Sequence, residues 1–206
     1  MKNNKYNWLI FLGLVLLTGP LNTYGQSTEI HFNAYSGLFS FRGDGATSTA
    51  WMNIEHMVRP FNITSNPYGN KSAFSYAFEI QGQRITKHKN IFGIGLSYEK
   101  LSSKVIIDTV FESGCFIYRL FPARGETSLK NSFITLNPYI GRRFSIGKMG
   151  FDVLAGIDLA YCIKSKESGS ASIGSEKNIT TANNMQKPSI DFRPRFQINA
   201  QIDKFG

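Results

Sequence analysis

The sequence predicts an all-β protein, specifically an antiparallel up-and-down transmembrane β-barrel of about eight strands, six of which can be clearly identified. Three observations predict this class. Apolar and polar residues alternate over segments of roughly ten to fourteen residues, whereas strands of soluble sheets typically have about five to six. Short and long connections alternate along the chain, as they do in outer-membrane barrels. The 14% aromatic content and 19 glycines, with only 18% charged residues, favour sheet over a helical bundle.

Residues 1–25 have the pattern of a secretory signal peptide. Two lysines precede an uninterrupted apolar run over residues 8–17, and small residues lead up to Gly25. The run is too short for a helix that must cross about 30 Å of hydrocarbon, so cleavage near Gly25 is favoured over a membrane anchor. The predicted barrel domain is therefore 26–206, carried by an exported protein.

The charge of the chain is basic but diffuse. The formal net charge of +9 falls to +7 when Lys2 and Lys5 are removed with the signal peptide. No run of five or more Lys or Arg residues forms a focused patch, and export makes nucleic acid a poor partner. Contact with anionic outer-membrane lipid, including lipopolysaccharide, explains the excess more simply. Beyond residue 25 no apolar stretch is long enough for a membrane-spanning helix, so any insertion must use strands.

The first predicted strand, 29–41, has the least defined faces. Segments 73–86 and 91–100 follow it and form a predicted hairpin around the tight connection 87–90. Apolar residues occupy every second position in both segments, and small or polar residues occupy the positions between them. The apolar face of this hairpin contains Phe74, Tyr76, Phe78, Ile80, Phe92, Ile94, Leu96 and Tyr98.

Segments 132–144 and 151–163 repeat the alternation and form a second predicted hairpin. Gly147 and Gly150 lie in its connection, which suits a tight turn. The sixth segment, 190–202, alternates in the same way. These six segments are the strands that the sequence identifies.

Three longer connections, 42–72, 101–131 and 165–189, are predicted as polar loops rich in Gly, Ser, Thr and Asn. In an outer-membrane barrel the short turns face the periplasm and the long loops face outward. We therefore expect these loops to carry any contact with an extracellular or envelope protein partner. For the apolar side chains in these loops, packing of the loops onto one another is favoured over binding of a partner or ligand.

The second face of the strands decides between two kinds of barrel. In a soluble lipocalin-like barrel the apolar face surrounds a ligand, whereas in a membrane barrel it faces lipid and the polar face fills the lumen. The long strands and the asymmetry of the connections favour the membrane kind. Charges of both signs then pair across a narrow interior. The predicted lumen charges are Glu79, Glu99, Arg143, Asp152, Asp158, Asp191, Arg193 and Arg195.

With these features the chain resembles the outer-membrane β-barrel protein family common in Bacteroidota, whose members are small eight-stranded barrels. The likeness lies in residues 91–98 (Ile-Phe-Gly-Ile-Gly-Leu-Ser-Tyr), in 125–131 leading into 133–141, and in 191–196 (Asp-Phe-Arg-Pro-Arg-Phe). It covers nearly all of the chain after the signal peptide, through alternation rather than invariant motifs. The resemblance implies an outer-membrane location and no common catalytic residue.

Six readable strands fall short of the eight that the resemblance implies. An open barrel would leave backbone N–H and C=O groups without hydrogen-bond partners in lipid, so two further strands are required to close it. Either two strands lie beyond residue 206 in a longer parent chain, or residues 104–111 and 115–121 supply an extra hairpin. The first alternative is favoured, because both runs are short for a membrane span. In that case 104–121 is a β-rich extension above the membrane.

Few residues suggest chemistry. Cys115 and Cys162 both fall on the predicted extracellular side, which permits a disulfide in an oxidising compartment; two unrelated buried thiols are the alternative. The histidines His31, His56 and His88 lie on different predicted elements without metal-ligand spacing. His56 follows an acidic residue, but no nucleophile accompanies the pair. No catalytic, cofactor-binding or metal-binding residue is therefore predicted.

The sequence thus predicts a non-enzymatic outer-membrane β-barrel with a filled polar lumen and long extracellular loops, in a structural or surface-interaction role in the cell envelope. Eight strands enclose just enough space for side chains, so conduction of the kind seen in porins is not expected. Two alternatives remain from other classes. One is a soluble secreted barrel that binds a small hydrophobic ligand, and the other is an outer-membrane lipid hydrolase that depends on His56.

Overall fold

The computed structural model describes residues 27–55, 62–113, 118–147, 149–174, 177–185 and 189–202, and these residues form strands and connections. The predicted signal peptide lies outside them. No helix long and apolar enough to cross a membrane occurs in this part of the chain. The strands are β1 (Ser27–Phe39), β2 (Thr49–Glu55), β3 (Asn62–Thr64), β4 (Lys71–Ile85), β5 (Asn90–Ser113), β6 (Tyr118–Ile146), β7 (Met149–Ile173), β8 (Lys177–Asn184) and β9 (Ile190–Ile202).

The six strands identified from the sequence are confirmed as neighbours in one antiparallel sheet. Their order is β1-β4-β5-β6-β7-β9. We call this part the wall sheet: β1, β4 and β9 with the lower portions of β5 (90–100), β6 (132–146) and β7 (149–163). The sheet is not closed, since among the described residues β1 pairs only with β4 and β9 only with β7. The all-β antiparallel prediction holds, while barrel closure and membrane insertion stay predictions.

The two predicted tight connections are confirmed at the lower end of the wall sheet. In the first, the N–H of Lys89 donates to the carbonyl of Thr86 at 2.9 Å, and Lys89 has a φ of 62°. In the second, Gly147 has a φ of 60°, a left-handed conformation that glycine adopts without the steric cost of a Cβ. Both hairpins therefore turn within a few residues.

The wall sheet curves toward its polar face, since Arg195 on β9 reaches Glu79 on the non-neighbouring strand β4. The opposite, convex face is apolar across its whole width. Phe32 is 80% exposed and Phe192 is 73% exposed, although they lie on opposite edge strands. Paired positions connect them through every strand between, so that one row of six hydrophobic side chains crosses the sheet: Phe32, Ile80, Leu96, Leu136, Leu159 and Phe192. The predicted alternation is confirmed, with apolar residues outward and polar residues on the concave side.

The prediction of long polar loops at 101–131 and 165–189 is wrong. β5 has 24 residues, β6 has 29 and β7 has 25, so the three strands continue well past the wall sheet and stay paired. Ser and Thr made these stretches look like loops, but buried residues such as Val105 and Leu129 still recur at every second position. The connection 42–72 also contains two strands, β2 and β3.

These upper strands continue the same sheet beyond the wall sheet, and we call this part the extension. It consists of β2, β3 and β8 with residues 101–131 of β5 and β6 and 164–173 of β7. Residues 104–111 pair with β6, including 120–121, inside the extension and do not add strands to the wall sheet; residues 115–117 lie outside the described part of the chain. The extra-hairpin route to eight wall strands is therefore wrong, and the β-rich extension is what the structure contains. Its buried core consists of Ala50, Met52, Ile54, Val105, Ile107, Val110, Ala123, Ala171 and Ile179.

The extension curls until its two outer strands meet. β2 runs parallel to β5 and also pairs with β3, while β8 pairs with β7. Asn62 Nδ2 on β3 donates to the carbonyl of Thr180 on β8 at 2.8 Å, and Asn183 Nδ2 on β8 donates to the carbonyl of Asn62 at 2.6 Å. Side-chain amides thus join β3 to β8 around the core.

A β-bulge on β7 lies at the boundary between the wall sheet and the extension. Ser132 is opposite Lys164 and Phe133 is opposite Cys162, so the register between β6 and β7 shifts by one residue at Ile163. Such an insertion shifts the alternation by one residue. As a result Cys162 is buried below the bulge and Glu167 is buried above it, although their parity in the sequence differs.

Candidate functional site

The concave face of the wall sheet holds the charges that the sequence predicts for the lumen. Each of them takes part in an ion pair across this face: Glu79, Glu99, Arg143, Asp152, Asp158, Asp191, Arg193 and Arg195. The strands alternate strictly here, so one set of side chains converges while the apolar set points away. That this face lines the lumen of a closed barrel stays a prediction.

The central pair joins two strands that are not neighbours in the sheet. Arg195 on β9 donates from Nη1 to Glu79 Oε1 at 2.7 Å and from Nη2 to Oε2 at 2.9 Å. The side chain of Glu79 is 1% exposed and that of Arg195 is 18% exposed. This bidentate geometry is the strong form of an arginine-carboxylate contact. It ties β9 to β4 across the interior of the curved sheet.

Glu79 is also surrounded by neutral donors. The hydroxyl of Tyr35 on β1 donates to Oε2 at 2.7 Å, Gln81 Nε2 donates to the same oxygen at 2.8 Å, and Asn137 donates to Oε1. Arg195 Nη2 lies 3.5 Å from the Tyr35 hydroxyl. The two edge strands, β1 and β9, thus meet through side chains on one buried carboxylate, and their described residues form no backbone pairs with each other.

A second cluster near the tight turns centres on Arg143. Its guanidinium donates to Glu29 at 2.8 and 2.9 Å and to Asp152 at 2.6 and 2.8 Å. Glu29 was missed by the sequence analysis because the faces of the first strand were not assigned. The signal was present, since Glu29, His31, Asn33 and Tyr35 alternate with more apolar positions.

A third cluster lies toward the extension. Arg193 Nη1 donates to Glu99 at 2.9 Å, and Nη2 donates to Asp191 at 3.2 Å. The guanidinium carbon lies 4.5 Å from the ring centroid of Phe133, a cation-π distance. Asp158 is 3.7 Å from Arg195 and joins the central pair instead. Each arginine of the concave face therefore has carboxylate partners on other positions of the sheet.

An aromatic side chain fills space between these charges. Tyr139 is buried on the concave side, and its hydroxyl donates to Gln83 Oε1 at 3.3 Å. Gly93 makes room for the ring, since a Cβ at that position would lie 2.2 Å from Tyr139 Cζ. Around Tyr139 and the ion pairs, the concave face is thus covered by packed and hydrogen-bonded side chains. Such an arrangement holds neighbouring and non-neighbouring strands together.

The extension contains a further buried carboxylate that the sequence did not indicate. Glu167 is fully buried; its Oε1 accepts the backbone N–H of Thr64 at 3.0 Å, and its Oε2 accepts Asn183 Nδ2 at 3.4 Å. Thr64 Oγ1 lies 3.0 Å from Thr127 Oγ1. Glu167 therefore supplies the hydrogen bond that the short strand β3 would otherwise lack on this side.

Replacing Glu167 with alanine should destabilise the extension. The N–H of Thr64 would be left buried without an acceptor, which costs about 1–3 kcal/mol. Trp51, on β2, is the one tryptophan after residue 25, so its fluorescence in a urea titration reports on this layer. The matched control is Glu126→Ala, which removes an exposed carboxylate paired with Lys104 and should cost at most about 1 kcal/mol. Equal effects of the two changes would contradict the role of Glu167.

The remaining sequence candidates are two cysteines and two histidines. Cys162 is buried, and its Sγ is 3.7 Å from the carbonyl oxygen of Lys164. Cys115 lies outside the described residues, so its predicted pairing with Cys162 stays a prediction. His56 also lies outside them. His31 Nε2 is 3.2 Å from Glu29. Within the described ranges no group of three or more His, Cys, Asp or Glu side chains could hold a metal ion.

Comparisons with known proteins do not assign this arrangement to a family. No family model, no curated protein and no solved structure matches the chain. The charged concave face, the apolar convex face and the extension are therefore interpreted from their own chemistry.

Proposed function

We propose that this chain is a non-enzymatic outer-membrane β-barrel protein of the cell envelope. In this proposal the wall sheet inserts in the membrane and the extension stands outside it. The apolar row across the convex face carries the proposal. A soluble protein would bury side chains such as Phe32 and Phe196, which are 80% and 84% exposed here, whereas lipid solvates them. The proposal also includes export through the predicted signal peptide and the outer-membrane location that the family resemblance implies.

The polarity of the concave face supports the membrane barrel over a soluble ligand-binding barrel. A lipocalin-like interior is apolar, but the corresponding face here is lined by paired carboxylates and guanidinium groups such as Glu79 and Arg195. In a small membrane barrel, ion-paired side chains of this kind occupy the narrow interior and leave no wide channel. We therefore propose a filled polar lumen and no role in bulk conduction. The lipid-hydrolase alternative depends on His56, which lies outside the described residues.

The proposed orientation follows from the two ends of the sheet. The tight turns near Lys89 and Gly147 would face the periplasm, and the extension would face the outside, in contact with lipopolysaccharide at its base. Exposed apolar residues of the extension, including Trp51 and Leu120, would be available to an extracellular or envelope protein partner. The surface role that the sequence assigned to loops is thus proposed for a folded β layer. The proposal requires backbone partners for the outer edges of β1 and β9, because unpaired edges are not viable in lipid.

Fractionation with gel mobility tests this proposal. The chain should be recovered with the outer membrane after a urea wash, and on SDS gels the unboiled sample should migrate faster than the boiled one. A closed, detergent-resistant barrel is compact and unfolds only on heating, which is the reason for the expected shift. Recovery in the soluble fraction without a mobility shift would contradict both insertion and closure.

A further inference from the structure

A cavity of about 850 Å³ lies between the wall sheet and the extension. Strands β1, β5, β6, β7 and β9 and the connections beside them contribute to its lining. The volume falls in the range of about 300–1,000 Å³ that small-molecule pockets occupy. Neither Arg195 nor Glu79 lines it, so it is separate from the central ion pair.

One side of the cavity is aromatic. The rings of Phe39 and Phe41 are 5.1 Å apart at 81°, and the rings of Phe41 and Tyr68 are 5.2 Å apart at 89°. These are edge-to-face contacts, which hold the three rings in a fixed arrangement. Phe133 and Leu101 extend the apolar lining from β6 and β5. An apolar or aromatic molecule would find contacts of the same kind on this side.

The polar groups of the cavity lie on other strands. The hydroxyl of Ser165 on β7 donates to Asn131 Oδ1 on β6 at 2.7 Å, which leaves the amide NH₂ of Asn131 as a donor. Arg193 and Asp191 also line the cavity, but Arg193 is already neutralised by Asp191 and by Glu99. The charge in the lining is therefore balanced without a ligand, and a charged ligand would have no free counter-charge.

We propose that this cavity binds a neutral small molecule with an aromatic or other apolar body and one hydrogen-bonding group. The body lies against the rings of Phe39, Phe41 and Tyr68, and the polar group reaches the pair formed by Asn131 and Ser165. A predominantly apolar lining with a few polar groups on one side is the usual composition of a ligand pocket. The inference does not depend on membrane insertion, because the cavity is formed by side chains on the concave side.

Cys162 lines the cavity and provides a reporter at its wall. In a Cys115→Ser background it is the one thiol of the chain, and its alkylation by N-phenylmaleimide, a neutral aromatic reagent, can be followed by mass spectrometry of the intact folded protein. The rate should saturate with reagent concentration, since binding in the cavity precedes reaction. N-(4-carboxyphenyl)maleimide has the same shape with a negative charge and should react at least about tenfold more slowly, a difference of about 1.4 kcal/mol.

Filling the cavity should remove this behaviour. Ser165→Trp places an indole in the space and should slow modification by N-phenylmaleimide at least about tenfold. Ser189→Trp fills the same cavity from the connection before β9 and serves if the first variant does not fold. The matched control is Ser172→Trp, on β7 but exposed on the extension, which should leave the rate unchanged.

The outcomes separate clearly. A saturable rate that the filling variants abolish supports a ligand site for neutral aromatic molecules. A rate linear in reagent concentration and equal for the two maleimides, or no adduct at Cys162, would overturn it. Because all variants are compared in the same detergent, or in plain buffer if the protein is soluble, failure here is distinguishable from failure of the membrane proposal.

Discussion

Replacing Arg195 with methionine is expected to lower the free energy of unfolding by about 3–5 kcal/mol. Methionine preserves much of the length of the side chain but removes both hydrogen bonds to Glu79, whose side chain is almost fully buried. An unpaired carboxylate in that position has lost the charge that compensates its desolvation. Asp158 loses the same partner at 3.7 Å. A urea titration followed by the far-ultraviolet circular dichroism of the β-sheet measures the loss.

Two further variants show that the effect comes from the buried pair. Combining Arg195→Met with Glu79→Gln removes both charges, and this double variant should be more stable than Arg195→Met alone. Lys104→Met removes an exposed ion pair with Glu126, whose side chains are 40% and 47% exposed, and should cost at most about 1 kcal/mol. A similar loss for Lys104→Met and Arg195→Met, or a double variant less stable than the single one, would refute this account.

The wall sheet was predictable because its physical signal is local. Period-two alternation over a long segment assigns a face to every residue, so Glu79 and Arg195 could be placed on one side without knowledge of the fold. Their pairing across non-neighbouring strands could not be derived, since it depends on the curvature of the sheet. The pairing of β4 with β5 and of β6 with β7 followed from the short connections between them.

The strands of the extension were predicted as loops because their Ser and Thr content suggested loops, although the alternation of buried and exposed residues is that of strands. Ser128 and Thr127 suggest a loop, yet in a paired strand their backbone groups are satisfied and Thr127 is fully buried. The bulge at Ile163 also shifts the alternation on β7 by one residue. The sequence pattern is therefore interrupted there, although the strand itself continues. The burial of Glu167 could not be predicted from the sequence, because its hydrogen-bond partner Thr64 is distant along the chain.

Replacing Leu136 with arginine is the prediction that separates a membrane protein from a soluble one most directly. Leu136 lies in the apolar row of the convex face, with Leu96 and Leu159 as its cross-strand neighbours, and it is 40% exposed. If the face contacts lipid, arginine there should lower the free energy of unfolding by about 2–4 kcal/mol, the cost of an arginine near the bilayer midplane. The measurement is a urea titration of the protein folded into phosphatidylcholine vesicles, with folded protein scored by its mobility before boiling.

The same strand supplies the control, because β6 passes from the wall sheet into the extension. Leu120 is 68% exposed, more than Leu136, so in a soluble protein Leu120→Arg and Leu136→Arg should both change stability by less than about 0.5 kcal/mol. In the proposed membrane protein only Leu136→Arg is destabilising, since Leu120 stands outside the bilayer. The contrast depends on position along one strand and not on the residue type or its exposure. Two neutral variants would therefore assign the convex face to water and refute the membrane proposal.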